Sequence, residues 1–298
     1  MSDCYISPQT FFVYLFAATF NLLLVACATP SWQFNQHAED LGFYEKVYQG
    51  TKFFHKVYSN PKTVDKFIHV YLGSDGTPWE KPHQIASDPT PRNPVMLRLM
   101  ALDSTASVYV GRPCYHGFSR RPECHPRWWT SARYSEPILE SLGSVLTQIW
   151  EEHESSEMIL FGYSGGGALA MLLTERLSYV QGVVTVAGNL DIKAWADYHA
   201  YSPLTESINP ASRLPLRETL FQLHVIGRKD KVVPPPMVQL ALKRQDGIKP
   251  IVIDDVDHQC CWEVLWPEIL RKVTHALKMI RQEDKGVSLT LEEIPGAP

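Results

Sequence analysis

The sequence has no basic surplus. Its 28 lysines and arginines are outnumbered by 32 aspartates and glutamates, for a formal charge of −4 at pH 7. Nucleic-acid binding draws on a basic excess, so no nucleic-acid partner is expected. Glycine is scarcer than proline, 17 against 22, which fits long ordered loops. A mean hydropathy of −0.16 excludes a polytopic membrane protein. Internal repeats and low-complexity tracts are absent too. What is there is ordinary globular composition, 45% hydrophobic and 20% charged over 298 residues. That length suits one large α/β domain or two small ones.

One long apolar run stands out against that average. Phe11 to Ala28 is interrupted only by Thr19 and Asn21, and it contains Leu24-Val25-Ala26-Cys27. Small residues before a cysteine match the cleavage logic of export signals. The segment resembles a bacterial lipoprotein signal peptide. That resemblance implies a leader over residues 1–26 and acylation of Cys27 as the mature N-terminus. Ala28, where an aspartate would retain the protein, leans towards the outer membrane. The stretch before the run carries no Lys or Arg, only Asp3 and the α-amine, so an uncleaved single-span anchor is the alternative. Both readings tether the chain to a membrane in the cell envelope, facing the periplasm or exterior.

Cysteine use fits an oxidising compartment. Setting aside Cys4 and Cys27 leaves Cys114, Cys124, Cys260 and Cys261, which allow three pairings. Cys114 and Cys124 bound a short loop rich in proline, arginine and aromatics, and a bridge is expected there. Cys260 and Cys261 are adjacent, and either form a vicinal disulfide or remain thiols. The group Cys114, His116, Cys124 and His125 matches no zinc spacing, and no metal site is expected.

Along the chain, residues 27–50 read as a polar lead-in and 51–283 as the folded domain, with a loosely ordered tail over 284–298. Strands are expected at Lys52–Tyr58, Phe67–Leu72, Ser107–Val110, Glu157–Phe161, Val183–Ala187, Phe221–Ile226 and Pro250–Ile253. Helical spacing covers Val95–Leu102, Pro137–Glu152, Met237–Lys243 and Pro267–Ile280. Continuous apolar runs such as Met158-Ile159-Leu160-Phe161 suit strands buried on both faces of a parallel sheet. Strands alternating with helices predict a doubly wound, mostly parallel α/β sheet flanked by helices.

Gly162-Tyr163-Ser164-Gly165-Gly166 follows one such strand and opens a helix. In that context G-x-S-x-G is a nucleophile elbow. Glycines flank the serine because strand and helix come close together, and the helix N-terminus offers free amides and a positive dipole. A glycine-rich helix cap with a bystander serine is the bland alternative.

Here the sequence resembles the α/β-hydrolase superfamily, from about Lys52 to about Ile280. The resemblance implies a triad in the order Ser, acid, His, each after a different strand. Asp230, in Gly227-Arg228-Lys229-Asp230-Lys231-Val232-Val233-Pro234, follows a strand and matches the family's acid loop. Asp191 is the runner-up. His258 follows the last strand and matches the general base. The family also implies oxyanion donors: the Gly165 amide, and one from the loop Gly73-Ser74-Asp75-Gly76, where Ser74 is the candidate. The usual His-Gly-Gly-Gly form is missing there. Residues 188–218 occupy the position of a small cap, where Trp195, Tyr198, His199 and Tyr201 either shape the acyl pocket or pack in the core; Trp79 and Trp262 are candidate pocket residues.

The expected function is a membrane-tethered serine hydrolase acting on a small-molecule ester or acyl substrate, with no metal and no cofactor. Peptidase, thioesterase or acyltransferase activity would use the same triad. A non-catalytic envelope lipoprotein on a hydrolase scaffold is the competing class. A cysteine enzyme using Cys260 or Cys261 is the third.

Overall fold

The computed structural model describes residues 29–63, 66–153, 157–245 and 247–283. The expected leader, Cys27 and the tail lie outside them. The strands are β1 (Tyr44–Gln49), β2 (Phe54–Ser59), β3 (Phe67–Leu72), β4 (Trp79–Lys81), β5 (Gln84–Ile85), β6 (Ser107–Val110), β7 (Glu157–Tyr163), β8 (Val180–Val186), β9 (Phe221–Gly227) and β10 (Ile251–Ile253). The helices are α1 (Pro30–Asp40), α2 (Val95–Ala101), α3 (Glu136–Glu152), α4 (Gly165–Thr174), α5 (Ile192–Tyr198), α6 (Pro235–Lys243) and α7 (Trp262–Glu283).

Eight strands form one sheet in the order β1-β2-β6-β3-β7-β8-β9-β10. From β6 to β10 all neighbours are parallel, and β1 and β2 pair antiparallel at one edge. β4 and β5 make a separate small hairpin. The centre is buried on both faces. In β7, Met158 and Leu160 enter one apolar layer with α3, α4 and α6, while Ile159 and Phe161 enter the other with α1, α2 and α7. A continuous apolar run is what such a strand requires.

The chain leaves β3 for β6 on one side and returns to β7 on the other. That reversal leaves a crevice at the carboxyl ends of β3 and β7, where ligands bind in open α/β sheets. Ser74, Ser164, Asp230 and His258 all lie in segments following the carboxyl ends of strands.

Three expectations need correction. The lead-in over 27–50 holds a helix and an edge strand. In α1 only Ser31, Phe34 and Ala38 are buried, and in β1 only Tyr48, so neither produces a hydrophobic period. The helix is set instead by Pro30 in its first turn and by Thr29, whose hydroxyl accepts from the Trp32 amide at 3.2 Å. The last helix starts at Trp262, five residues before Pro267, which sits inside it. Trp262 is fully buried in the core, not in a pocket.

Candidate active site

Ser164 caps α4 with φ 54° and ψ −121°. A non-glycine residue held there costs on the order of 1–3 kcal/mol and needs support from its surroundings. The Ser164 amide donates to the Val186 carbonyl at 3.0 Å, and its carbonyl accepts from the Gly167 and Asn189 amides, each at 2.9 Å. The flanking glycines are steric requirements. A Cβ on Gly162 would stand 2.3 Å from the Gly166 carbonyl oxygen, and one on Gly166 would stand 2.1 Å from that of Leu72.

His258 Nε2 is 3.0 Å from Ser164 Oγ, and His258 Nδ1 is 2.8 Å from Asp230 Oδ2. A carboxylate only accepts, so Nδ1 carries the hydrogen and Nε2 turns its lone pair to the serine. The other Asp230 oxygen, Oδ1, accepts from the amides of Val232 at 2.8 Å and Val233 at 2.7 Å. Asp230 and His258 are both buried, and Ser164 is partly exposed. The three residues thus form a continuous relay from buried acid to reachable hydroxyl.

Asp191 takes no part in it. That carboxylate caps α5 through the Ala194 amide at 3.1 Å, accepts from Asn209 at 2.8 Å, and pairs with Arg244 at 3.3 Å. Ser74 lies on the loop after β3, which packs against the elbow, as the Leu72 and Gly73 carbonyls lining Gly166 make plain. Its hydroxyl is engaged within the loop, accepting from the Gly76 amide at 3.2 Å. Among the described residues, no carbonyl engages the amide of Ser74 or of Gly165. A small hollow beside Ser74 is lined by Gly73, Met96, Tyr109 and Tyr163.

Cys114 and Cys124 are joined by a disulfide with S–S 2.05 Å, and Cys260 and Cys261 are joined as a vicinal pair. The segment 188–218 contains α5 and a single 3₁₀ turn, Pro210–Ser212. It rests on the acid loop, where Trp195 Nε1 and His199 Nε2 contact the Val232 carbonyl at 3.0 and 2.8 Å. Trp79 is exposed on the small hairpin.

Sequence reasoning missed the supporting shell. Tyr163 fills the variable position of the motif, and its hydroxyl donates to the His258 carbonyl at 2.9 Å. Burial first, and the Asp230 charge second, hold this phenol well above the usual tyrosine range, so it stays a donor. Asp75 sits among Arg112, Arg133 and Tyr134 beside Gly165. An arginine directly after the apolar run Val108-Tyr109-Val110-Gly111 was the one available signal for that cluster.

No family profile and no curated protein matches the chain by sequence. Solved structures do match its fold. A membrane phospholipase A, described as a bacterial virulence factor, superposes with a TM-score of 0.61 at 14% identity, over 92% of this chain and 98% of that one. An esterase of Pyrococcus furiosus gives 0.54 at 16% identity, over 81% and 94%. An Agrobacterium tumefaciens protein of unknown function, provisionally classed as an α/β hydrolase, gives 0.52 at 15% identity, over 79% and 97%. The chain has the α/β-hydrolase fold.

Proposed function

We propose that this protein is a serine hydrolase that cleaves carboxylic esters through an acyl-enzyme on Ser164. The observation that carries the proposal is the relay Ser164–His258–Asp230, with steps of 3.0 and 2.8 Å, at a strained turn on a helix N-terminus. Solved structures of an esterase and a phospholipase A on the same fold support a hydrolase.

In the first half-reaction the Ser164 proton passes to His258 Nε2 as Oγ attacks the ester carbonyl. Asp230 stabilises the imidazolium that forms. The oxyanion is met by the Gly165 amide and by the loop bearing Ser74. Collapse breaks the ester C–O bond, and His258 returns the proton to the departing alkoxide. Water then attacks the acyl-enzyme by the same route in reverse, releasing the acid. None of these steps calls for a metal or cofactor. The Leu24–Cys27 box supports lipid attachment at Cys27 and a site held at an envelope membrane.

The test is hydrolysis of chromogenic esters of graded chain length, together with labelling by a fluorophosphonate. Wild type should turn over esters of this series and take the label. Ser164→Ala should lose both while keeping its circular dichroism. Asp230→Asn should lower kcat on the order of 10⁴-fold by allowing the wrong imidazole tautomer. Folded wild-type protein that neither reacts nor labels would overturn the proposal in favour of a binding protein.

A further inference from the structure

A buried charge cluster lies against the nucleophile elbow, and the chemistry above leaves it without a role. Asp75 stands on the loop after β3, with 15% of its side chain exposed. Arg112 follows β6 and Arg133 precedes α3, and their side chains are only 5% and 8% exposed. Arg112 Nη2 is 2.8 Å from Asp75 Oδ1, and Arg133 Nη1 donates to Asp75 Oδ2 at 2.9 Å. Tyr134 adds a hydrogen bond to Oδ1 at 2.5 Å, and Tyr115 one to the Asp75 main-chain carbonyl at 2.8 Å. Four side chains from two other segments therefore converge on one residue of the oxyanion loop.

Stability is a poor reason for this arrangement. Desolvating two guanidinium groups and a carboxylate offsets most of their attraction, and apolar packing would serve as well. Position is a better one. A Cβ on Gly165 would lie 2.1 Å from Asp75 Oδ1 and 2.4 Å from the Tyr134 hydroxyl. The carboxylate thus touches the residue whose amide faces the developing oxyanion. A lone carboxylate there would oppose that charge. Two guanidinium groups against one carboxylate leave the cluster with a net positive formal charge. Burial pushes the Asp75 carboxyl up, but the charges of Arg133 and Arg112 and the Tyr134 hydroxyl outweigh it and hold it below the usual range.

We infer that Asp75 is a positioning residue: gripped by Arg112, Arg133 and Tyr134, it fixes the loop 73–76 against Gly165 and so sets the geometry of the oxyanion hole. The inference rests on the serine-hydrolase reading above. The hole works only when its donors are held where the oxyanion will form, and a displacement of about 1 Å can cost on the order of 10²-fold in rate.

Two variants test it in the full folded protein. Asp75→Asn keeps the shape and removes the charge. Tyr134→Phe removes one hydrogen bond and no charge, and serves if the first does not fold. For each, kcat, KM and the inhibition constant of a boronic acid, which mimics the tetrahedral intermediate, are measured beside thermal stability. The expected result is a kcat loss of 10- to 100-fold for Asp75→Asn and 3- to 10-fold for Tyr134→Phe. KM should stay within twofold, and boronate affinity should fall in parallel with kcat. Folded variants with unchanged kcat, or with losses confined to KM while boronate affinity holds, would overturn the inference. If wild type itself neither turns over nor labels, the serine-hydrolase reading fails and takes this inference with it.

Discussion

The hydroxyl of Tyr163 donates to the main-chain carbonyl of His258 at 2.9 Å, so the residue before Ser164 grips the backbone of His258. The Trp262 indole reaches the same carbonyl at 3.0 Å. The elbow and the histidine loop are far apart in sequence, and the Tyr163 bond ties them together, while the Trp262 bond is local to the histidine segment. Tyr163→Phe leaves the Trp262 bond in place. A buried neutral hydrogen bond is worth about 0.5–1.5 kcal/mol. The variant should therefore lose roughly 2- to 12-fold in kcat, with KM little changed and the fold intact by circular dichroism.

Gly166 should tolerate no side chain. Its Cβ would meet the Leu72 carbonyl oxygen at 2.1 Å and that of Gly73 at 2.5 Å, both backbone atoms that cannot swing aside. Gly166→Ala should destabilise the protein by about 1–3 kcal/mol and separate the elbow from the oxyanion loop. Gly42 is the control. It has φ +75° with nothing within 4 Å, so Gly42→Ala should cost only the left-handed backbone penalty, about 1–2 kcal/mol. Chemical denaturation measures both, and activity per folded molecule should fall only for Gly166→Ala.

Stability should fall as the pH drops below about 6.5. Burial lowers His55 to about 4, and His116 and His224 to about 3, from an ordinary 6.5. The unfolded chain therefore binds protons that the native state refuses, and this contribution is complete above 6.5 and lost as pH falls towards 4 and below. Melting temperature measured from pH 8 to pH 4 should decline over that window. His224→Gln, which cannot take up the proton, should give a shallower decline.

The two disulfides should differ in worth. Cys114–Cys124 closes a loop across a separation of 10 residues, for which chain entropy gives about 3 kcal/mol. The double substitution to alanine should lower the melting temperature on the order of 5–10 °C. Its loss should also loosen Tyr115, whose hydroxyl holds the Asp75 carbonyl. Cys260–Cys261 joins neighbours and closes no chain loop, so its replacement by serines should move stability far less.

The local half of this protein is written in its sequence. Continuous apolar runs named the central strands β3, β7, β8 and β9, because burial on both faces leaves little choice of residue. Gly162 to Gly166 named the turn, because only glycine fits where strand and helix backbones meet. The positions of Asp230 and His258 followed from their resemblance to a known pattern after successive strands. The sequence was silent on α1 and β1, whose few buried residues form no period. It was silent also on what brings distant segments together. Asp75, Arg112, Arg133 and Tyr134 lie on three separate stretches, and Tyr163 and His258 are 95 positions apart. Nothing in the sequence pairs any of them with its partner. Only packing of the sheet, which sets the ends of β6, β3 and β7 side by side and brings the segment after β10 to Ser164, turns them into partners. Hydrogen bonds and ion pairs across such distances carry no spacing in the chain, so tertiary structure alone decides them.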